Sequence, residues 1–147
     1  MEAAMEVFFP GSSSVTRRFA TEFVELPERV ASSVGPAIVT PFAVQHASGA
    51  PSYALRVECD GKVITYSGDT EWTEALVEAT RGADLFVCEA YFFEKKIKYH
   101  LNYHTLREQR GRIACQRVIL THMSQDMLSH RGEVEFECAD DGKIVVL

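Results

Sequence analysis

The sequence is poor in positive charge and has no long apolar run. Fifteen Lys and Arg stand against 21 Asp and Glu, a formal net charge of −6 over 147 residues. Unaided binding to nucleic-acid phosphates rests on clustered Lys and Arg, so nucleic acid is not expected as a partner of this chain alone. No stretch approaches the roughly 20 apolar residues of a membrane-spanning helix, so no membrane role is expected. The opening Met1-Glu2-Ala3-Ala4-Met5-Glu6 places acids where a secretory signal carries basic residues, and the apolar Val7-Phe8-Phe9 that follows is too short. Cys59, Cys88, Cys115 and Cys138 make no Cys-x-x-Cys pair, which removes zinc-ribbon and redox-motif readings. The expectation is a cytoplasmic protein with reduced thiols, and Cys88, inside Leu85-Phe86-Val87-Cys88, reads as a small core residue. Repeats, low-complexity tracts and linker-like segments are all absent.

What is present is an ordinary globular mixture, 46% hydrophobic and 24% charged, which excludes disorder. Residues 37–44 read as a strand. Residues 53–59 alternate, Asp60-Gly61 is a hairpin turn signal, and residues 62–66 return. Residues 73–79 fit a helix, residues 85–88 a short buried strand, residues 100–114 a helix with a basic face, and residues 117–120 another buried strand. Residues 1–9 suit a turn or two of helix stopped by Pro10-Gly11, and residues 21–26 alternate weakly. A second hairpin is expected at Asp141-Gly142, closing in Ile144-Val145-Val146-Leu147. Strands alternating with helices give an α/β class.

The polar residues fall at informative places. Three strands end in a metal-ligating or acid–base group, His46, Asp69 and His122, and a fourth ends in Glu89. Ligands of α/β folds gather at strand ends, where a rigid backbone projects side chains into a crevice. Each residue has a bland alternative. Asp69 could cap the helix near Thr73, Glu89 could be an exposed acid, and His130 suits a solvated loop. His100 and His104 are four apart and would share a helix face. Lys95-Lys96-x-Lys98 reads as a solvated loop and is the only basic cluster placed for a phosphate-bearing substrate. Imidazole with carboxylate is a ligand set for zinc, manganese or iron.

The order of motifs carries a resemblance. Val44-Gln45-His46 is followed by Pro51-Ser52-Tyr53-Ala54-Leu55-Arg56-Val57 and Tyr66-Ser67-Gly68-Asp69-Thr70-Glu71-Trp72. Then come Ala83-Asp84-Leu85-Phe86-Val87-Cys88-Glu89-Ala90, His100-Leu101 and Val118-Ile119-Leu120-Thr121-His122-Met123-Ser124. In this succession the chain resembles the C-terminal portion of a metallo-β-lactamase-fold metallo-hydrolase of the ribonuclease Z-like branch. The resemblance implies the C-terminal portion of an αββα sandwich, a mixed or antiparallel sheet with flanking helices. It implies His46 as ligand of a first metal, Asp69 as the bridge, and His122 as ligand of a second. His100 would act as proton donor or transition-state stabiliser with Glu89 orienting it, and His104 is the alternative to His100. The implied cofactor is zinc, two ions in the full family site and one or none here, with manganese or iron also suited.

The family signature His-x-His-x-Asp-His is missing, and the first histidine is His46. The resemblance therefore implies one domain over residues 1–147 without its N-terminal portion. Metal-activated water would hydrolyse a small phosphodiester or related ester, with activity impaired by the missing ligands. Two other readings stand beside this one. One is a non-catalytic remnant or subunit that completes its sandwich with a complementing N-terminal half or as a homo-oligomer. The other is an incomplete reading frame whose function belongs to a longer parent.

Overall fold

The computed structural model describes residues 6–11, 14–16 and 24–147. Seven strands form one sheet in sequential order: β1 (Ser32–Val34), β2 (Ala37–Val44), β3 (Ser52–Cys59), β4 (Lys62–Tyr66), β5 (Ala83–Glu89), β6 (Cys115–Thr121) and β7 (Glu137–Cys138). Strands β1 to β4 meander antiparallel, whereas β4–β5, β5–β6 and β6–β7 are parallel. The sheet is mixed, as expected. The Asp60-Gly61 turn joining β3 to β4 has both residues at positive φ, 51° and 74°, as a two-residue type I′ hairpin requires.

Parallel pairing forces crossovers, and these carry the helices. α1 (Glu74–Ala79) joins β4 to β5, α2 (Tyr103–Glu108) joins β5 to β6, and α3 (Gln125–Ser129) joins β6 to β7. The last two are capped: Asn102 accepts from the Thr105 N–H and Ser124 from the Met127 N–H.

Strand direction places the site. β2 is antiparallel to β3, and β3 to β4, so β2 runs with β4 and therefore with β5 and β6. The carboxyl ends of β2, β4, β5 and β6 all lie along one edge, and there the chain sets His46, Asp69, Glu89 and His122.

The two faces differ. Phe42, Ala54, Phe86, Cys88, Val118 and Leu120 pack with Leu76, Leu106, Tyr103 and Met127 of the helices into the main core. The opposite face carries two registered rows, Pro41–Leu55–Tyr66–Val87–Ile119 and Val39–Val57–Ile64–Leu85–Arg117. None of these residues belongs to the helix-side cluster; Leu85 and Ile119 are buried all the same, while Tyr66 remains 43% exposed.

Three expectations need correction. The helix expected over residues 100–114 begins only at Tyr103 and breaks into a 3₁₀ turn at Arg110–Arg112. His100 therefore precedes the helix and shares no face with His104. The Asp141-Gly142 turn forms, with Lys143 N–H donating to Asp140 C=O, but no return strand follows. β7 is a two-residue edge strand paired parallel with β6, too short to template a returning strand, and Ile144 and Val146 are exposed. Residues 24–26 form no strand, and residues 21–23 lie outside those described. The expected N-terminal helix is present at residues 6–8 and turns at Pro10-Gly11, while residues 1–5 also lie outside those described.

Candidate metal centre

Four side chains converge at the sheet edge. Asp69, Glu89, His100 and His122 each offer one ligand atom, and these atoms all lie within 4.8 Å of one another. Tetrahedral ligands at about 2.1 Å from one ion stand about 3.4 Å apart, so the cluster would have to draw together to surround a cation. Carboxylate with imidazole is a donor set suited to zinc, manganese or iron. The local field is also suitable. Burial, then the negative charges of Asp69 and Glu89, hold the Tyr66 hydroxyl above its ordinary pKa.

Asp69 follows the end of β4, where Gly68 makes the turn at φ +61°. Its two oxygens face different imidazoles. Oδ1 is 2.8 Å from His122 Nδ1, and Oδ2 is 3.9 Å from His46 Nε2. His46 lies outside the group of four, with its ring 5.3 Å from that of His100. Its position is stitched to the Asp69 loop. Gln45 N–H donates to Thr70 Oγ1 at 3.1 Å, and Gln45 C=O accepts from Glu71 N–H at 3.0 Å. His122 follows β6 in a left-handed backbone, φ +51°, which His tolerates better than a β-branched residue.

Glu89 is 1% exposed, and its oxygens are spoken for. Oε1 accepts from the backbone N–H groups of Thr70 and Leu101. Oε2 lies 2.9 Å from His100 Nδ1 and 3.4 Å from His122 Nδ1. Burial raises the Glu89 carboxyl above its ordinary pKa, while the Thr70 N–H and then His100 act to lower it. A carboxylate so saturated with donors is placed to orient His100 rather than to take a cation on both oxygens.

The alternative His104 does not reach the cluster. Its Nε2 is 3.4 Å from Glu94 Oε1. His130 stacks on Phe93 at 4.3 Å, and its Nδ1 donates to Asp126 C=O at 2.8 Å. Tyr91, which no sequence motif marks, stacks on His100 with ring centroids 4.8 Å apart and meets His122 edge-on at 5.1 Å.

Residues 3–123 match the family described as Beta-lactamase superfamily domain. The chain belongs to this superfamily. Among relatives, a ribonuclease Z of Bacillus velezensis is 33% identical over 90 residues, covering 52% of this chain and 29% of that protein. The metallo-beta-lactamase fold protein YhfI of Bacillus subtilis superposes with a TM-score of 0.67 at 17% identity, covering 90% of this chain and 58% of that one. Zn²⁺-bound PqqB of Methylobacterium extorquens gives a TM-score of 0.66 at 18% identity, covering 99% and 61%. The superfamily member described here therefore has the metallo-β-lactamase fold and is ribonuclease Z-like in sequence. It spans less than half the length of the curated relatives it matches.

Proposed function

We propose that this chain supplies part of a metal-dependent hydrolase acting on a phosphodiester or a related ester. The observation that carries the reading is the carboxylate of Asp69 set between the imidazoles of His122 and His46, one oxygen toward each. Asp69 and His122 would hold a divalent cation, and His46 would serve the other oxygen of the same carboxylate. Zinc suits this donor set, with manganese or iron as alternatives. Bound there, the cation would supply an activated water and polarise the scissile ester.

The remaining residues have their own tasks. Glu89 accepts the Nδ1–H of His100, which fixes the tautomer and leaves Nε2 for the reacting group. With both ring nitrogens protonated, His100 would give its Nε2 proton to the departing oxygen and keep the Nδ1–H on Glu89. Glu89 keeps this geometry because its other oxygen is bound by two backbone N–H groups. Similarity to ribonuclease Z favours a phosphodiester as the ester class.

Three such ligands are fewer than two ions require, so the chain by itself is expected to hydrolyse weakly. The apolar rows opposite the helices call for a second layer, which a complementing N-terminal half or a second copy would supply. The test is zinc uptake by chelator competition, together with hydrolysis of bis(4-nitrophenyl) phosphate. Wild type should bind zinc and show metal-dependent turnover. Asp69→Asn and His122→Ala should each weaken binding at least about tenfold. A folded wild type with no bound zinc and no rate above background would overturn the reading.

A further inference from the structure

Glu71 is not a member of the candidate centre, yet it joins three segments that build it. It follows Asp69 by two residues. Its N–H donates to Gln45 C=O at 3.0 Å, next to His46. Its Oε1 accepts the Tyr99 N–H at 2.9 Å, immediately before His100.

Tyr99 is in an uncommon conformation. Its φ is +72°, and Ile97 bridges to His100 across the turn that Tyr99 completes. Lys98 is not among the residues at positive φ. Positive φ at the third residue of a four-residue turn, without it at the second, is the type II signature, and Gly is favoured there because a Cβ disfavours the left-handed region. Tyr99 carries a full side chain in that place. A residue stays in such a region only where its surroundings over-determine it. The Glu71 carboxylate on the Tyr99 N–H is a contact from outside the turn that does this.

We propose that Glu71 is a positioning residue, which holds the turn at residues 97–100 in its left-handed form and thereby sets His100 against Glu89. The following residue inherits the chain direction that Tyr99 imposes. It leaves the His100 Nδ1 at 2.9 Å from Glu89 Oε2, with the ring 5.3 Å from those of both His46 and His122. Without the carboxylate, Tyr99 relaxes toward negative φ and His100 swings away from Glu89. Gln at position 71 retains an oxygen that accepts the same N–H. Gly at position 99 adopts positive φ without help, so it should repair the loss of the carboxylate.

The test compares Glu71→Ala, Glu71→Gln and the double variant Glu71→Ala with Tyr99→Gly. Amide exchange at residue 99 and the ring nitrogen resonances of His100 are read in the zinc-free protein. The kcat and KM for bis(4-nitrophenyl) phosphate are read with zinc. Glu71→Ala should speed exchange at residue 99 about tenfold. It should also shift the His100 ring resonances and lower kcat by about ten- to a hundredfold with little change in KM. Glu71→Gln should stay close to wild type. The double variant should recover the His100 resonances and most of kcat. Unchanged exchange and resonances in Glu71→Ala would overturn the proposal, as would equal losses in the Gln and Ala variants, or a double variant worse than Glu71→Ala. Only the kcat readout rests on the hydrolase reading. A wild type without turnover defeats that reading, while exchange and ring resonances still decide the role of Glu71.

Discussion

Gly68 sets the position of Asp69, and two independent constraints act on it. Its φ of +61° is a conformation that side-chain-bearing residues disfavour, and a Cβ there would stand 3.0 Å from the Tyr53 carbonyl oxygen. That oxygen is backbone of β3 and cannot rotate aside, so the strand or the Asp69 loop must shift. Gly68→Ala should cost about 2 kcal/mol, from the left-handed penalty alone or slightly more with the contact. It should also weaken zinc binding, because the shift moves Asp69 from between His46 and His122. Urea unfolding with chelator competition checks both, and wild-type values in the two measurements would show the turn to be adaptable. Legibility at this scale follows sequence distance. His46, Asp69, Glu89 and His122 could be found because each lies within three residues of the end of a strand signal. Tyr91 and the Glu71–Tyr99 pair could not, since stacking of Tyr91 on His100 and a bond spanning 28 residues depend on how crossovers return to the sheet edge.

Among elements, those governed by local pattern were readable and those governed by pairing were not. The bounds of β2 and β4 match the strands expected over residues 37–44 and 62–66, and the Asp60-Gly61 turn fixes the register of β3 with β4. α2 starts later than its sequence pattern predicts because Asn102, in an extended backbone, caps it. β7 is no arm of the hairpin that Asp141-Gly142 predicts, and its two residues dock parallel on β6. What fastens so short a strand is polar. Arg117 on β6 donates to both oxygens of Glu137, at 2.7 and 2.8 Å, and Lys143 reaches the same carboxylate at 2.8 Å. These hydrogen bonds, that of Arg117 first, lower the Glu137 carboxyl from its ordinary 4.5 to about 2. A depressed carboxylate stabilises the fold above its unfolded pKa and loses that contribution as pH falls through the folded one. Glu137→Gln should therefore lower Tm at pH 7, and the gap to wild type should close between about pH 4.5 and 2. A gap that is independent of pH would assign the role of Glu137 to packing rather than charge.

For the whole molecule, the asymmetry of the sheet is the governing fact. One face is sealed by helices, and the other presents Val39, Leu55, Val57, Ile64 and Val87 in register, each only half-buried. Completing the burial of each such side chain would contribute on the order of 1 kcal/mol. That is a sufficient drive for a second apolar layer to dock there. It also explains why the sequence reads as an ordinary globular domain by composition. Its 46% hydrophobic content is enough to line both faces of the sheet, while the helices cover one. If the second face seeks a layer, the chain alone should associate with itself as concentration rises. Val57→Lys with Ile64→Lys, neighbours across β3 and β4, should suppress that association. The secondary structure and the zinc affinity should survive, because the metal cluster lies at the strand ends rather than on this face. Size exclusion with light scattering, followed by circular dichroism and chelator competition, separates the outcomes. A wild type that stays monomeric at all concentrations would mean that these half-buried side chains are tolerated in water and that no second layer is needed.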